Sequence, residues 1–499
     1  MSYDPVETTN TAAVDAPTFL TPEAAVDRLG EIYDTACQAL RAALKRYADH
    51  RVPPTAEERL AFRYPALQVT WEPCGMPHFT RRAWAKFQTP GVYTTTVTQP
   101  RAFRSYLLDQ LRPLVDEFGA TIEVGQSDQE IPYPYVTERG DEFIHGEIQV
   151  TELARYFPTP VLAAVGDEIA DGTWTFKAGR PRPLALFDAV RTDFSLKRLS
   201  HYTGTHWSTV QPWILLTNYQ RYVDQFVQRA LAELAHPHSS YAALSLPGGG
   251  VITRETNELD ARAMIADAPW HNFQMPAYSL ARKDGQGVTI INIGVGPSNA
   301  KNITDHLAVL RPNCWLMIGH CGGLRQSQLL GDYVLAHGYL RRDQILDDLV
   351  PPEIPIPALA EVQVALQEAA ERVTGDRGDA LKRRLRTGTV VTYADRNWEL
   401  RFGQERRRIN LARAVAVDME SGTLAAQGYR LRVPYGTLLC VSDKPLHGEI
   451  KLPGAATAFY QRAVGEHLAI GLETVDLLRG QLASLHSRKL RSFDEPVFR

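Results

Sequence analysis

The chain has 499 residues, 44% hydrophobic and 22% charged, with a formal net charge of −3. That length and apolar content suit two or three domains with their own cores, and so balanced a charge excludes electrostatic capture of nucleic acid or a membrane surface as the main business. No stretch approaches the roughly 18 uncharged apolar residues of a membrane span, and the polar, acidic residues 1–18 lack the basic start and apolar run of a secretory signal.

The chain therefore reads as cytoplasmic, with residues 1–18 as a disordered tail. Cys37, Cys74, Cys314, Cys321 and Cys440 form no CxxC pair and read as reduced, buried thiols. No metal site is expected, because His201 with His206, and His236 with His238, have no carboxylate or cysteine at ligand spacing.

Residues 21–48 predict an amphipathic helix opened by Thr21 and Pro22. Strands are expected at 66–71, 91–98 and 121–124, with a helix at 103–118. The Pro-rich run 179–185 reads as a linker. This sets out an N-terminal α/β (α+β) domain at 19–182, a second domain at 183–484 and a C-terminal tail at 485–499. Residues 187–213 look loop-rich. A helix at 218–235 follows, then a strand at 241–246 ending in Pro247 and three glycines.

The centre of the second domain is the stretch 287–325. Val288–Ile293 is a β-branched run with the composition of a strand covered on both faces. Gly294, Gly296 and Pro297 break it, a helix runs to about 310 with Ser298 or Asn299 as N-cap, and 315–318 is the next strand, ending in Gly319–Gly323. Strands at 333–340, 389–393, 415–417 and 436–441 alternate with helices at 359–385, 397–411, 420–427 and 456–478. Such alternation implies a three-layer α/β domain with a parallel or mixed sheet. Ligands of such sheets sit at the carboxyl ends of the strands.

Gly294-Val295-Gly296 invites a dinucleotide reading, but Asn299 stands where the third glycine would be, and Pro297 removes an N–H that a pyrophosphate would use. The bland alternative is a tight strand–helix turn. The basic runs Lys382–Arg386 and Arg406–Arg408 have no interleaved aromatic residues and read as solvated helix faces or subunit contacts.

Four separated motifs, in order, resemble the nucleoside phosphorylase family of purine phosphorylases and nucleosidases. They are Leu246–Gly250 with Arg254, Gly294–Ser298, Gly319–Gly323, and Val417–Glu420 with Val441–Asp443. His201–Thr205, Asn218-Tyr219, Asp305-His306 and Ser442–Lys451 narrow the likeness to members that hydrolyse AMP and carry a separate N-terminal domain. The resemblance implies the family's fold for the second domain. It also implies release of adenine from AMP, leaving ribose 5-phosphate, in the service of purine nucleotide balance.

Asp443 ends an apolar strand, and the family's aspartate there faces N7 of the base. A dry pocket lets a carboxyl group keep its proton near neutrality, which suits a general acid. Without the resemblance, Asp443 would pass for a helix cap or a surface partner of Lys444. Glu420 is implied to accept hydrogen bonds from the ribose 2′- and 3′-hydroxyls, with Met419 against the sugar; alone, it would read as a glutamate compensating a helix dipole. Gly249 and Arg254 stand for the glycine and arginine that hold phosphate in hexameric phosphorylases. The later Arg and Ser of that phosphate site become Met317 and His320. Losing the guanidinium weakens oxyanion binding, which favours water over phosphate as the nucleophile, with His320 orienting the water or simply buried and satisfied.

Gly296, Ser298 and Gly322 are further expected contacts. Arg254, Lys301, Arg325, Lys444 and Lys451 are candidates for the 5′-phosphate. No cofactor is expected for catalysis. MgATP as allosteric activator, phosphate as inhibitor, and a homohexamer whose sites borrow residues such as His271 or Arg282 are implied by the resemblance. The competing readings are a phosphorylase or nucleosidase acting on unphosphorylated nucleosides, and a non-catalytic nucleotide sensor.

Overall fold

The computed structural model describes residues 20–73, 80–137, 148–448, 456–485 and 490–499. The chain forms two compact units, Met1–Lys197 with Ser492–Arg499, and Arg198–Arg491. Among the described residues no helix is long and apolar enough to cross a membrane. Cys37, Cys314, Cys321 and Cys440 are free and buried, while Cys74 lies outside the described residues.

In the first unit, β1 (Arg63–Trp71) pairs antiparallel with β2 (Gly91–Thr96) and β3 (Thr121–Glu130). β4 (Arg182–Pro183) extends the sheet beside β2. The Pro-rich run expected as a linker therefore belongs to this unit, with Leu184 and Ala185 in its core. Helix Pro22–His50 starts where the Thr21 hydroxyl accepts from Ala24 N–H, and its apolar stripe covers the sheet. The segment 492–499, expected as a tail, is tied in by hydrogen bonds between Ala85 N–H and Val497 carbonyl, and between Phe498 N–H and Leu184 carbonyl. Val497 and Phe498 are buried.

The second unit is built on a mixed sheet. Its strands are β5 (Trp213–Thr217), β6 (Tyr241–Ser245), β7 (Val251–Thr253), β8 (Ala277–Arg282), β9 (Val288–Asn292) and β10 (Cys314–Gly323), followed by β11 (Tyr333–Arg342), β12 (Leu385–Tyr393), β13 (Ala416–Asp418) and β14 (Tyr435–Asp443). Their order is β13-β12-β11-β14-β10-β5-β9-β8-β6-β7. Helices Gln220–Ala235, Ala360–Thr374 and Ala456–Arg479 lie together on one face, and Pro297–Leu307 and Ser421–Leu431 on the other. Gly471 meets Ile318 from the first face, and the Trp315 indole donates to Leu424 carbonyl on the second. This is the expected three-layer arrangement.

Two departures from the sequence reading matter. The stretch 187–213 holds helix Ala189–Thr203 rather than loop, and the following strand β5 is the sheet's middle. All five of its residues are buried, as expected of a parallel strand flanked on both edges and covered on both faces. β10 also continues through Gly319–Gly323 instead of ending at Ile318. Its last two residues pair antiparallel with β13. β13 thereby closes back on β10, and β10, β14, β11, β12 and β13 form a ring.

Candidate active site

β14, β10, β5 and β9 are consecutive and mutually parallel, so their carboxyl ends open on one edge, where an open sheet binds ligands. Asn218 follows β5, Gly294 and Gly296 follow β9, His320–Gly323 end β10, and Asp443 ends β14. After β13 the chain turns back to place Glu420 just before helix Ser421–Leu431.

Glu420 is only 1% exposed. Its Oε1 accepts from Gly296 N–H at 2.7 Å, and its Oε2 from Asn218 Nδ2 at 3.1 Å. Gly296 has φ of +117° and is itself the N-cap of helix Pro297–Leu307, in place of Ser298 or Asn299. A side chain at that φ would be strained, and the left-handed turn is what aims the N–H at the carboxylate. Burial pushes the Glu420 carboxyl up to about 8, helped by the neighbouring Asp418 charge. Asp418 is buried too, and burial raises it likewise. Its oxygens accept from Thr392 Oγ1 at 2.6 Å and from Ser421 N–H at 2.8 Å.

Asp443 lies across β10 from this group. Gly322 pairs with Asp443 on one side and with Val417 on the other, so the end of β14 and the end of β13, from which the chain turns to Glu420, flank the same residue of β10. The Ser442 hydroxyl donates to Asp443 Oδ1. Met419 and Gly322 are half-buried on the same edge. His320 is buried, its ring between those of Tyr219 at 4.8 Å and Tyr222 at 5.5 Å. Met317 is fully buried within β10.

The structure does not bring the remaining candidates together. Gly249 sits in the turn after β6, separated from β9 by β8. Arg254 follows β7, which runs back antiparallel to β6, so it lies toward the opposite edge of the sheet. Its guanidinium donates to the carbonyls of His236 and Ser239. Lys444 is 3% exposed and donates to the carbonyls of Gln326 and Gln328, fastening the turn after β10. Lys301 pairs with Asp305 at 2.7 Å, one turn along its helix. Ser298 and Arg325 are exposed. Lys451 lies outside the described residues. Among the described residues no group of three or more His, Cys, Asp or Glu could hold a metal ion.

Sequence reasoning gave no role to two residues that follow β5. Asn218 had been noted as part of a motif without a role; it is the partner of Glu420. Arg221, to which the sequence reading gave no role, is exposed in the first turn of helix Gln220–Ala235, which follows β5. The signal was present in the apolar run ending at Thr217, which would have placed both at a strand end.

Residues 24–181 match the family described as bacterial AMP nucleoside phosphorylase N-terminus, and residues 260–476 the phosphorylase superfamily. The chain is 55% identical over 482 residues to AMP nucleosidase of Escherichia coli (strain K12), covering 96% of this chain and 99% of that one. The chain belongs to the AMP nucleosidase family. The AMP nucleosidase of Escherichia coli O157:H7 matches to the same extent. A crystal structure of AMP nucleosidase from Bacteroides thetaiotaomicron VPI-5482 is 26% identical, with a TM-score of 0.42 over 58% of this chain and 98% of that one. As a member of the AMP nucleosidase family the chain is an N-glycosidase with a small-molecule substrate, and its two-unit build is the family's.

Proposed function

We propose that the chain hydrolyses AMP to adenine and ribose 5-phosphate. The observation that carries this reading is its likeness, along nearly the whole length, to enzymes called AMP nucleosidase. In the reaction, Asp443 gives its proton to N7 of adenine as the bond from N9 to C1′ breaks. Glu420 accepts from the ribose 2′- and 3′-hydroxyls and favours the positive charge that develops on the sugar. Water, oriented by His320, adds its oxygen to C1′, and the proton it releases restores Asp443. The 5′-phosphate is held at the N-terminal end of helix Gln220–Ala235 by Arg221.

Hydrolysis rather than phosphorolysis is supported by Met317. It is buried and apolar where hexameric phosphorylases carry an arginine, so no guanidinium at that register stabilises a phosphate nucleophile. The test is product analysis with AMP and with adenosine, each with and without phosphate. Adenine and ribose 5-phosphate from AMP alone are expected. Ribose 1,5-bisphosphate, formed only with phosphate, would replace the reading by phosphorolysis, and release from adenosine alone would replace the substrate. The first unit is proposed to bind MgATP as activator and phosphate as inhibitor, and the chain to assemble as a hexamer; ligand-dependent kinetics and light scattering test these in turn.

A further inference from the structure

The face of β10 that carries His320 hides a polar pair that the reaction above does not use. Tyr222 and His467 are both 0% exposed. The Tyr222 hydroxyl and His467 Nδ1 are 2.7 Å apart, and His467 Nε2 stands 3.0 Å from the Leu438 carbonyl of β14. A carbonyl can only accept, so Nε2 carries the ring proton and Nδ1 accepts from the tyrosine. Burial, with the field of His320, pushes His467 down to about 3, which keeps the ring neutral. The chain of donors thus has one direction: tyrosine to histidine to the main chain of β14. Tyr333 closes the pocket, its ring 5.3 Å from that of His467 and its hydroxyl on Glu466 at 2.7 Å.

Phenylalanine and leucine would fill this space without the cost of burying a hydroxyl and an imidazole, a cost only their mutual hydrogen bonds offset. What the polar pair provides is a fixed direction for the Tyr222 ring. That ring forms one wall of the His320 site. We propose that Tyr222 and His467 are positioning residues, which hold the His320 imidazole in the orientation that aligns the attacking water. The inference rests on the AMP-hydrolysis reading, and on His320 acting in it.

The test uses the full chain and compares Tyr222→Phe, His467→Leu, His467→Gln, His320→Ala and the Tyr222→Phe/His320→Ala double variant, with AMP as substrate. Tyr222→Phe and His467→Leu are expected to lower kcat roughly tenfold, the scale of a small misplacement, with KM moved less than about twofold. His467→Gln should restore most of the rate, since its amide can accept from Tyr222 and donate to Leu438. In the His320→Ala background, Tyr222→Phe should change kcat less than about twofold, because its route of action is gone. Losses that multiply in the double variant would overturn the proposal, as would a lowered melting temperature with unchanged kcat. If His467→Leu does not fold, Tyr222→Phe decides alone. An assay-independent readout separates this from the parent reading: the imidazole 15N shifts of His320 should move in Tyr222→Phe, and unmoved shifts overturn the positioning even if the substrate proves not to be AMP.

Discussion

Asn218 and Glu420, 202 residues apart in sequence, are joined by a 3.1 Å hydrogen bond between the amide nitrogen and a carboxylate oxygen. With the Gly296 N–H on the other oxygen at 2.7 Å, the ends of β5 and β9 hold one acidic side chain from both sides. The carboxylate is oriented before substrate arrives, so little ordering is left for binding to impose.

Removing the amide should expose that dependence. Asn218→Ala leaves one oxygen of the buried Glu420 carboxyl without its donor, a loss of about 1–3 kcal/mol, which is roughly 5- to 150-fold in kcat/KM for AMP. Asn218→Asp should be worse at pH 7, because a like charge raises the Glu420 carboxyl further and leaves less of it ionised. Steady-state adenine release reads both. An Asn218→Ala enzyme with unaltered kcat/KM would show that the contact carries no function.

Glu420 should also couple folding and binding to protons. Burial and Asp418 raise its carboxyl to about 8, so between the ordinary carboxyl range and about pH 8 the folded chain keeps a proton that the unfolded chain has lost. Stability from this group must therefore fall as pH rises through that window, and Glu420→Gln should flatten the slope in denaturant titrations. Hydroxyl donors of a ribose favour the ionised form, so AMP binding should release a proton below pH 8 and tighten as pH rises from 6 to 8. Calorimetry in buffers of different ionisation enthalpy measures that release. Binding with no proton exchange at pH 6.5 would place the Glu420 carboxyl at its ordinary value.

The parts of this site written in local sequence were legible, and those made by long-range pairing were not. Gly294, Gly296 and Pro297 announce a strand–turn–helix junction, and Asp443 ends an unmistakable apolar run. β5 was passed over because Trp213–Thr217 is short and uniformly apolar, without the alternation that separates strand from helix. Arg254 was a candidate only through the resemblance to phosphorylases with a glycine and an arginine after the first strand; that it follows a strand paired with β6 alone, at the sheet's edge, is not legible locally. Likewise, no local pattern reveals that Thr423, buried, donates to Asp343 at 2.6 Å, or that Asp343 faces the buried Arg341.

Asp443→Asn tests the acid directly. An amide in its place cannot give up a proton, and general acid catalysis contributes 10²–10⁴-fold, so kcat for AMP should drop by about that factor. KM should change little and the melting temperature should hold, because the side chain is half-buried and stands at the end of β14. If hydrolysis continues at the wild-type rate, the proton comes from another group.

The end of β10 has no room for a side chain at Gly323. A Cβ on Gly323 would come within 2.9 Å of Val441 Cγ1 and 3.0 Å of Gln328 Oε1, with Lys444 Cγ at 3.4 Å. The same Gln328 side chain accepts from Arg325 N–H at 2.9 Å, and Lys444 holds the carbonyl of Gln328 at 2.8 Å, so any shift passes into the turn beside Asp443. Gly323→Ala should therefore destabilise the fold by about 1–3 kcal/mol, seen as a lower melting temperature, and lower kcat by displacing the acid. Val441→Ala in the same chain opens the space the new methyl needs. The double variant should consequently be more stable than the sum of the two single losses predicts; strict additivity would mean that this close approach does not limit the position.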